Sequence, residues 1–264
     1  MKIGFIGCGN MATAMLKGML KCGIVSEKEI IASAKTDRTR NKIEKELRIQ
    51  KADSNREVTE KADIVFLAVK PQFLEAVLEE IRDSVRKEQI FVSIAPGKTL
   101  LWLREHLGEE TKIIRTMPNT PAMVGEGMTG LCANDKVTEE EVEQVVRLCN
   151  SFGKTEVVPE SLMDAVVGVS GSSPAYVFVM LEAMADAAVA DGMPRAQAYK
   201  FAAQSVLGSA KLMLETGRHP GELKDMVCSP AGTTIEAVGV LEEKGFRSAV
   251  IEAQRACVRK ARGV

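Results

Sequence analysis

The first dozen residues limit the folds open to this chain more than any other stretch. Ile3, Phe5 and Ile6 form a short apolar strand, which breaks at Gly7-Cys8-Gly9, and a helical pattern follows through Met11, Met15, Gly18, Met19 and Cys22. Strand, glycine turn and helix together open a dinucleotide-binding βαβ unit. The first glycine permits the tight turn, and the second lets the backbone approach a pyrophosphate. Ala12 stands where a third small residue lets helix and strand pack closely. The start of the helix then aims free N–H groups and the positive end of its dipole at the phosphates. Taken by itself, the motif is also compatible with a plain tight turn.

The chain up to Pro159 repeats the strand-then-helix pattern. Short apolar runs at 30–34, 64–69, 90–94 and 112–116 end at turn-forming stretches, notably Lys70-Pro71, Ala95-Pro96-Gly97 and Met117-Pro118-Asn119-Thr120-Pro121. Continuous apolar runs of this length suit strands buried on both faces, and their alternation with helices predicts an α/β fold with a parallel, doubly wound sheet. Further strands are expected at 127–133 and 155–158. Between them Thr138-x-x-Glu141 reads as a capping box for a helix running to about Phe152.

Beyond Pro159 helical periodicity takes over, which divides the chain into a dinucleotide-binding domain, 1–159, and an all-helical domain, 160–264. Residues 176–190 are apolar nearly all round, with Glu182 and Asp186 forming one thin polar stripe. A helix of that kind must be buried on most sides, either against a partner subunit or within its own bundle. Pro194 opens the next helix over 196–215. A loop is expected at 217–221 and a last helix at 246–261.

Composition removes several classes of function. A formal net charge of −1 over 264 residues gives no reason to expect nucleic acid or an anionic membrane as partner. The six cysteines are scattered without a Cys-x-x-Cys pair and read as small hydrophobes in a reducing compartment. With only His106 and His219, neither a zinc site nor a histidine-based triad is expected, and no metal is assigned. The most apolar long segment, 165–193, carries Glu182, Asp186 and Asp191, so no membrane span is expected. The residues before Cys8 are too few for a signal peptide, which leaves the cytoplasm as the expected location.

Ligands of open parallel sheets lie beyond the carboxyl ends of the strands. Ile6, Gly7, Cys8, Gly9, Asn10 and Met11 are therefore the expected pyrophosphate site. At the end of the second strand stand Ser33, Ala34, Lys35 and Thr36, with Arg38 close behind, where an NAD site usually offers a carboxylate. Hydroxyls and cations suit a 2′-phosphate, so NADPH is the expected cofactor, with NADH left open by Asp37. Asn55 adds an amide to the same region. Ala68, Val69, Lys70, Pro71 and Ala95 should flank the nicotinamide half. Lys70 could act as a base or, as the simpler reading, help orient the cofactor.

The substrate site is sought in the helical half. Thr233-x-x-Glu236 matches a capping box with Thr233 as N-cap, and leaves Ser229 to Gly232 as a small-residue loop before a helix N-terminus. Such a loop suits a small carboxylate, and Thr234 could turn its hydroxyl toward the same ligand. A well-capped helix with no ligand is the alternative.

Here a resemblance becomes specific. The stretches Phe5-Ile6-Gly7-Cys8-Gly9-Asn10-Met11-Ala12, Ala68-Val69-Lys70-Pro71, Ser93-Ile94-Ala95-Pro96-Gly97 and Met117-Pro118-Asn119-Thr120-Pro121 resemble the pyrroline-5-carboxylate reductases. So do Gly171-Ser172-Ser173-Pro174-Ala175-Tyr176 and Ser229-Pro230-Ala231-Gly232-Thr233-Thr234, the last being the most discriminating. The resemblance covers essentially the whole chain. It implies an N-terminal Rossmann domain, a helical dimerisation domain, and homodimers that often assemble into decamers. The implied activity is reduction of 1-pyrroline-5-carboxylate to L-proline with NADPH or NADH. It further implies that the substrate lies against the loop 229–234, contributed by the partner subunit; within that loop Ser229, Gly232 and Thr233 are expected to anchor the carboxylate and Thr234, as the catalytic residue, to hydrogen-bond the ring nitrogen. Pro96 departs from the alanine or serine common in the family. Two rival readings are a β-hydroxyacid dehydrogenase, whose helical lysine and asparagine would fall on Lys200 and Gln204, and a non-catalytic nucleotide-sensing subunit.

Overall fold

The computed structural model describes residues 1–263. Eight strands form one sheet: β1 (Ile3–Ile6), β2 (Ile30–Ser33), β3 (Gln50–Lys51), β4 (Ile64–Leu67), β5 (Ile90–Ser93), β6 (Lys112–Met117), β7 (Gly127–Ala133) and β8 (Gly153–Val157). Their spatial order is β3-β2-β1-β4-β5-β6-β7-β8, parallel throughout except that β7 runs antiparallel to β6. The order reverses between β1 and β4, which makes that junction the topological switch point of a Rossmann sheet.

The helices of the sheet-containing half are α1 (Asn10–Lys21), α2 (Asp37–Lys45), α3 (Asn55–Lys61), α4 (Pro71–Ile81), α5 (Leu100–Leu107) and α6 (Glu139–Cys149). Successive strand residues point to opposite faces, and both faces are buried. Ile3, Phe5, Ile64, Phe66, Ile90 and Val92 pack with Met15 and Leu16 of α1 and Val145 and Leu148 of α6. Ile6, Val65, Leu67 and Phe91 pack on the other side with Val58 of α3, Leu74 and Leu78 of α4 and Leu103 of α5. Continuous rather than alternating hydrophobicity in these strands is the direct result. The capping box of Thr138 and Glu141 is formed, and α6 passes into a short 3-10 turn at Asn150–Phe152.

The sheet register positions the site. Ile6 pairs with both Ser33 and Leu67, and Leu67 pairs with Ser93, so four strands end level in one row. The residues that follow those ends are the ones expected to meet the dinucleotide.

Compact units follow the contacts. One comprises Met1–Ser172 together with the end of the chain from Cys257, and the other comprises Ser173–Ala256. The remaining helices are α7 (Met163–Val166), a π-turn at Val167–Gly171, then α8 (Ser173–Ala190), α9 (Arg195–Thr216), α10 (Pro220–Val227), α11 (Thr233–Glu243) and α12 (Phe246–Ala261). One expectation needs correction here, because the loop expected at 217–221 stops at His219. His219 caps α10 by accepting the Gly221 N–H at its Nδ1, and Pro220 fills the first helical position, where its missing N–H does no harm.

Burial within its own bundle does not account for α8. Of its 18 residues only Ala185 is buried, while Phe178 is 65% and Val179 68% exposed. The helical run Glu160–Ala190 is long and apolar enough to cross a membrane by length and composition alone, and 11% of its apolar window is buried.

Candidate active site

Gly7 follows β1 at φ +91, a conformation that side chains resist, and its N–H donates to the Ser33 carbonyl at 3.1 Å. That bond ties the glycine turn to the end of β2. Gly9 is the N-cap of α1 without a side-chain cap, and a Cβ built on it would meet nothing within 4 Å. The first N–H groups of α1 therefore open onto clear space at a helix N-terminus, as a pyrophosphate requires. Ile6 and Cys8 are buried in the core, so of the six residues expected at the pyrophosphate these two can offer only backbone. Asn10 is exposed and Met11 half-buried.

A cavity of about 430 Å³ opens beside this turn, lined among others by Gly7, Ser33, Lys35, Asn55 and Val69. It unites the expected ribose residues with the first glycine. Sequence reasoning missed Arg40, Phe73 and Glu80, which also line it; Arg38, expected there, does not. Arg40 Nε donates to the Ala34 carbonyl at 2.8 Å, which holds the guanidinium beside the end of β2. Lys35 Nζ stands 5.4 Å from the centre of the Phe73 ring, a cation–π contact. Ser33 donates through Oγ to Asn55 Oδ1 at 2.6 Å, and Asn55 Nδ2 donates to Glu80 at 2.7 Å. The helical phase of α2 could have singled out Arg40, which lies one turn after Asp37. Glu80 gave no local signal.

Ala68 and Val69 are half-buried after β4, where the Ala68 N–H donates to the Ile6 carbonyl at 2.8 Å. Lys70 is the exposed N-cap of α4 and Pro71 its first residue. Exposure deprives Lys70 of the burial that a lysine base would need. Ala95 is buried and its N–H donates to Ser93 Oγ at 3.3 Å. Glycine turn, open helix start and two cations together fit a phosphorylated dinucleotide.

In the other compact unit, Ser229-Pro230-Ala231-Gly232 is a β-turn closed by the Gly232 N–H donating to the Ser229 carbonyl at 3.0 Å. Pro230 sets its second position, and Ala231 takes the left-handed third position at φ +55. The capping expectation fails here: the N-cap of α11 is Gly232, with no side-chain cap, and Thr233 is the first helical residue. The turn hydrogen bond brings the chain into helical geometry one residue too early for Thr233 to cap. A Cβ on Gly232 would collide with Ser229 Oγ and lie 3.1 Å from the Ser229 carbonyl oxygen. Gly232 therefore supplies space rather than a donor, since its N–H is already used. The first N–H groups of α11 have no side-chain cap, and Ser229, Thr233 and Thr234 bring three hydroxyls to the same short stretch of chain.

Residues 160–264 match a family profile described as pyrroline-5-carboxylate reductase dimerisation, and residues 2–97 match one described as NADP oxidoreductase, coenzyme F420-dependent. The chain is 56% identical over 260 residues to the pyrroline-5-carboxylate reductase of Escherichia coli (strain K12), covering 98% of this chain and 97% of that one. It is 45% identical over 252 residues to the enzyme of that name from Methanosarcina acetivorans, covering 96% and 93%. Among solved structures, the Coxiella burnetii pyrroline-5-carboxylate reductase is 34% identical with a TM-score of 0.92, covering 99% and 97%. The Plasmodium falciparum pyrroline carboxylate reductase with NADP bound is 30% identical with a TM-score of 0.89, also covering 99% and 97%.

Proposed function

The chain belongs to the pyrroline-5-carboxylate reductase family, and from that premise we propose how its own residues divide the work. The protein is an NAD(P)H-dependent oxidoreductase that reduces 1-pyrroline-5-carboxylate to L-proline, the closing step of proline biosynthesis. The end-to-end match to reductases of this name carries the assignment. When bound, the nicotinamide would supply the hydride that adds to the imine carbon. The start of α1 and Gly9 hold the pyrophosphate, with backbone contributions from Ile6, Gly7, Cys8, Asn10 and Met11. Ser33, Lys35 and Asn55 hold the adenosine ribose. Ala68, Val69, Lys70, Pro71 and Ala95 border the nicotinamide half.

For the substrate, the hydroxyls of Ser229 and Thr233 and the free N–H groups at the start of α11 bind the carboxylate, and Gly232 leaves room for it. Thr234, half-buried in the first turn, accepts through its hydroxyl oxygen from the N–H of the protonated imine and holds that proton on nitrogen while the C=N bond becomes a C–N bond. A protonated imine is already electrophilic, so positioning matters more than a strong acid. This suits a chain whose two histidines lie outside both sets of residues.

The chain assembles through its helical half, which supports the division at 159/160 because the dimerisation profile begins at residue 160. We propose that a second copy, rather than lipid, covers the apolar run Glu160–Ala190, and that the substrate loop of one protomer serves the cofactor of its partner. Dimers then assemble into a decamer in the cytoplasm, without nucleic acid.

The test is direct. Purified protein mixed with NADPH and 1-pyrroline-5-carboxylate is followed at the nicotinamide absorbance. Substrate-dependent oxidation supports the reading; NADPH binding without turnover would leave a nucleotide sensor.

A further inference from the structure

The ribose end of the dinucleotide cavity contains a chain of hydrogen bonds whose polarity is fixed at one end. A carboxylate can only accept, so the 2.7 Å contact between Asn55 and Glu80 must be made by the amide nitrogen. Asn55 therefore turns its Oδ1 to Ser33, and the 2.6 Å contact between them must carry the Ser33 proton. Ser33 is buried and its hydroxyl is committed, so toward a ligand its Oγ can only accept. A ribose hydroxyl can donate to such an oxygen; a phosphate dianion cannot. The Glu80 carboxylate also lines the cavity, where it opposes the attraction of Lys35 and Arg40 for a phosphate.

We infer that Glu80 is a specificity-determining residue of the cofactor site, which orients Asn55 and Ser33 to accept a 2′-hydroxyl and so restrains preference for a 2′-phosphate. Lys35 and Arg40 draw in the phosphorylated dinucleotide, while the Glu80–Asn55–Ser33 chain keeps the unphosphorylated one competitive. In Glu80→Gln the terminal amide can donate, the Asn55 amide is free to turn over, and the Ser33 proton is released toward the ligand. Both the released donor and the removed charge favour the 2′-phosphate. The inference rests on the dinucleotide reading of this cavity, and the test separates the two.

Binding of adenosine 2′,5′-bisphosphate and of AMP to the full chain is measured by isothermal titration calorimetry for the native protein, Glu80→Gln and Glu80→Asp. The expected result is an about three- to tenfold rise in the preference for the bisphosphate in Glu80→Gln, the worth of about one hydrogen bond. The gain should shrink at high salt, and Glu80→Asp, which keeps the carboxylate, should stay nearer the native ratio. The NADPH-to-NADH ratio of kcat/KM should move in the same direction. An unchanged ratio, or equal weakening of both nucleotides, overturns the role of Glu80 while leaving the dinucleotide site intact. If the native protein binds neither nucleotide, the dinucleotide reading falls first and this inference with it.

Discussion

A Cβ on Gly7 would lie 2.8 Å from the carbonyl oxygen of Ala68 and 2.9 Å from its carbonyl carbon. The two residues follow adjacent strands at the switch point of the sheet, so the glycine turn and the segment proposed to flank the nicotinamide share one narrow gap. Gly7→Ala must widen that gap and also hold alanine at φ +91. It should destabilise the protein by about 1–3 kcal/mol and weaken NADPH binding by about tenfold or more. Denaturant melts and a fluorescence titration with NADPH read the two effects separately. Native affinity in the variant would show that the turn does not shape the cofactor site.

Thr234→Ala should lower kcat/KM for the imine by about 100-fold, in the range of a positioned proton-handling group, and Thr234→Ser should recover most of it. NADPH affinity should stay near the native value, because Thr234 is proposed to act on the substrate and lies outside the residues proposed to hold the dinucleotide. Native kcat/KM for Thr234→Ala across the pH range would remove Thr234 from the mechanism.

The apolar residues left open on α8 and α9 lie within the stretch that matches the dimerisation profile, and they are the surface a partner subunit would cover. Phe178→Glu together with Leu214→Glu places charge on side chains that are 65% and 84% exposed in the single chain. Sedimentation velocity should then show monomer, with turnover lost and NADPH binding kept. An intact oligomer would place the interface on another face.

Arg115 is buried on β6, and Glu160 Oε1 accepts from it at 3.1 Å and from the Leu100 N–H at 2.7 Å. One carboxylate thus ties β6 to the start of α5. Glu160→Ala leaves a buried guanidinium without its counter-charge and should destabilise by about 2–4 kcal/mol, lessened by the partial exposure of Glu160. A urea melt measures it, and a change below about 0.5 kcal/mol would mean that water replaces the carboxylate.

Burial pushes the Cys149 thiol up to about 12 and the Cys132 thiol up to about 11, the latter helped by the charge of Glu160 and opposed by Arg115. A raised folded-state value means that the folded protein keeps protons which the unfolded chain has released. The associated stability is fully present below the ordinary thiol value of 9.0 and is lost as pH climbs toward those folded values. Urea midpoints should fall above that pH, and Cys149→Ala, although destabilised at every pH, should show a shallower fall. Parallel slopes in the two proteins would contradict the assignment.

How much was legible from residues alone depended on how local the determining contacts are. β1, Gly7 and the buried strands could be read because each strand is apolar on both faces, and a turn glycine is recognised beside its strand. α8 announced its need for a partner through its own composition. The start of α11 could not be placed to the residue: Thr233-x-x-Glu236 is the same pattern whether Thr233 caps the helix or begins it, and the Ser229–Gly232 turn decides. Glu80 was invisible because its partner Asn55 lies 25 residues away and only the fold brings α3 and α4 together. α10, eight residues long, was lost in a stretch that looks like a loop.

The measurement closest to the central claim follows the hydride itself. The protein is incubated with 1-pyrroline-5-carboxylate and NADPH deuterated on the transferable C4 position, and the product is examined by mass spectrometry and NMR. The account predicts L-proline carrying one deuterium on the ring carbon beside nitrogen that does not bear the carboxylate. Proline without deuterium, or oxidation of the cofactor with no proline formed, would contradict it.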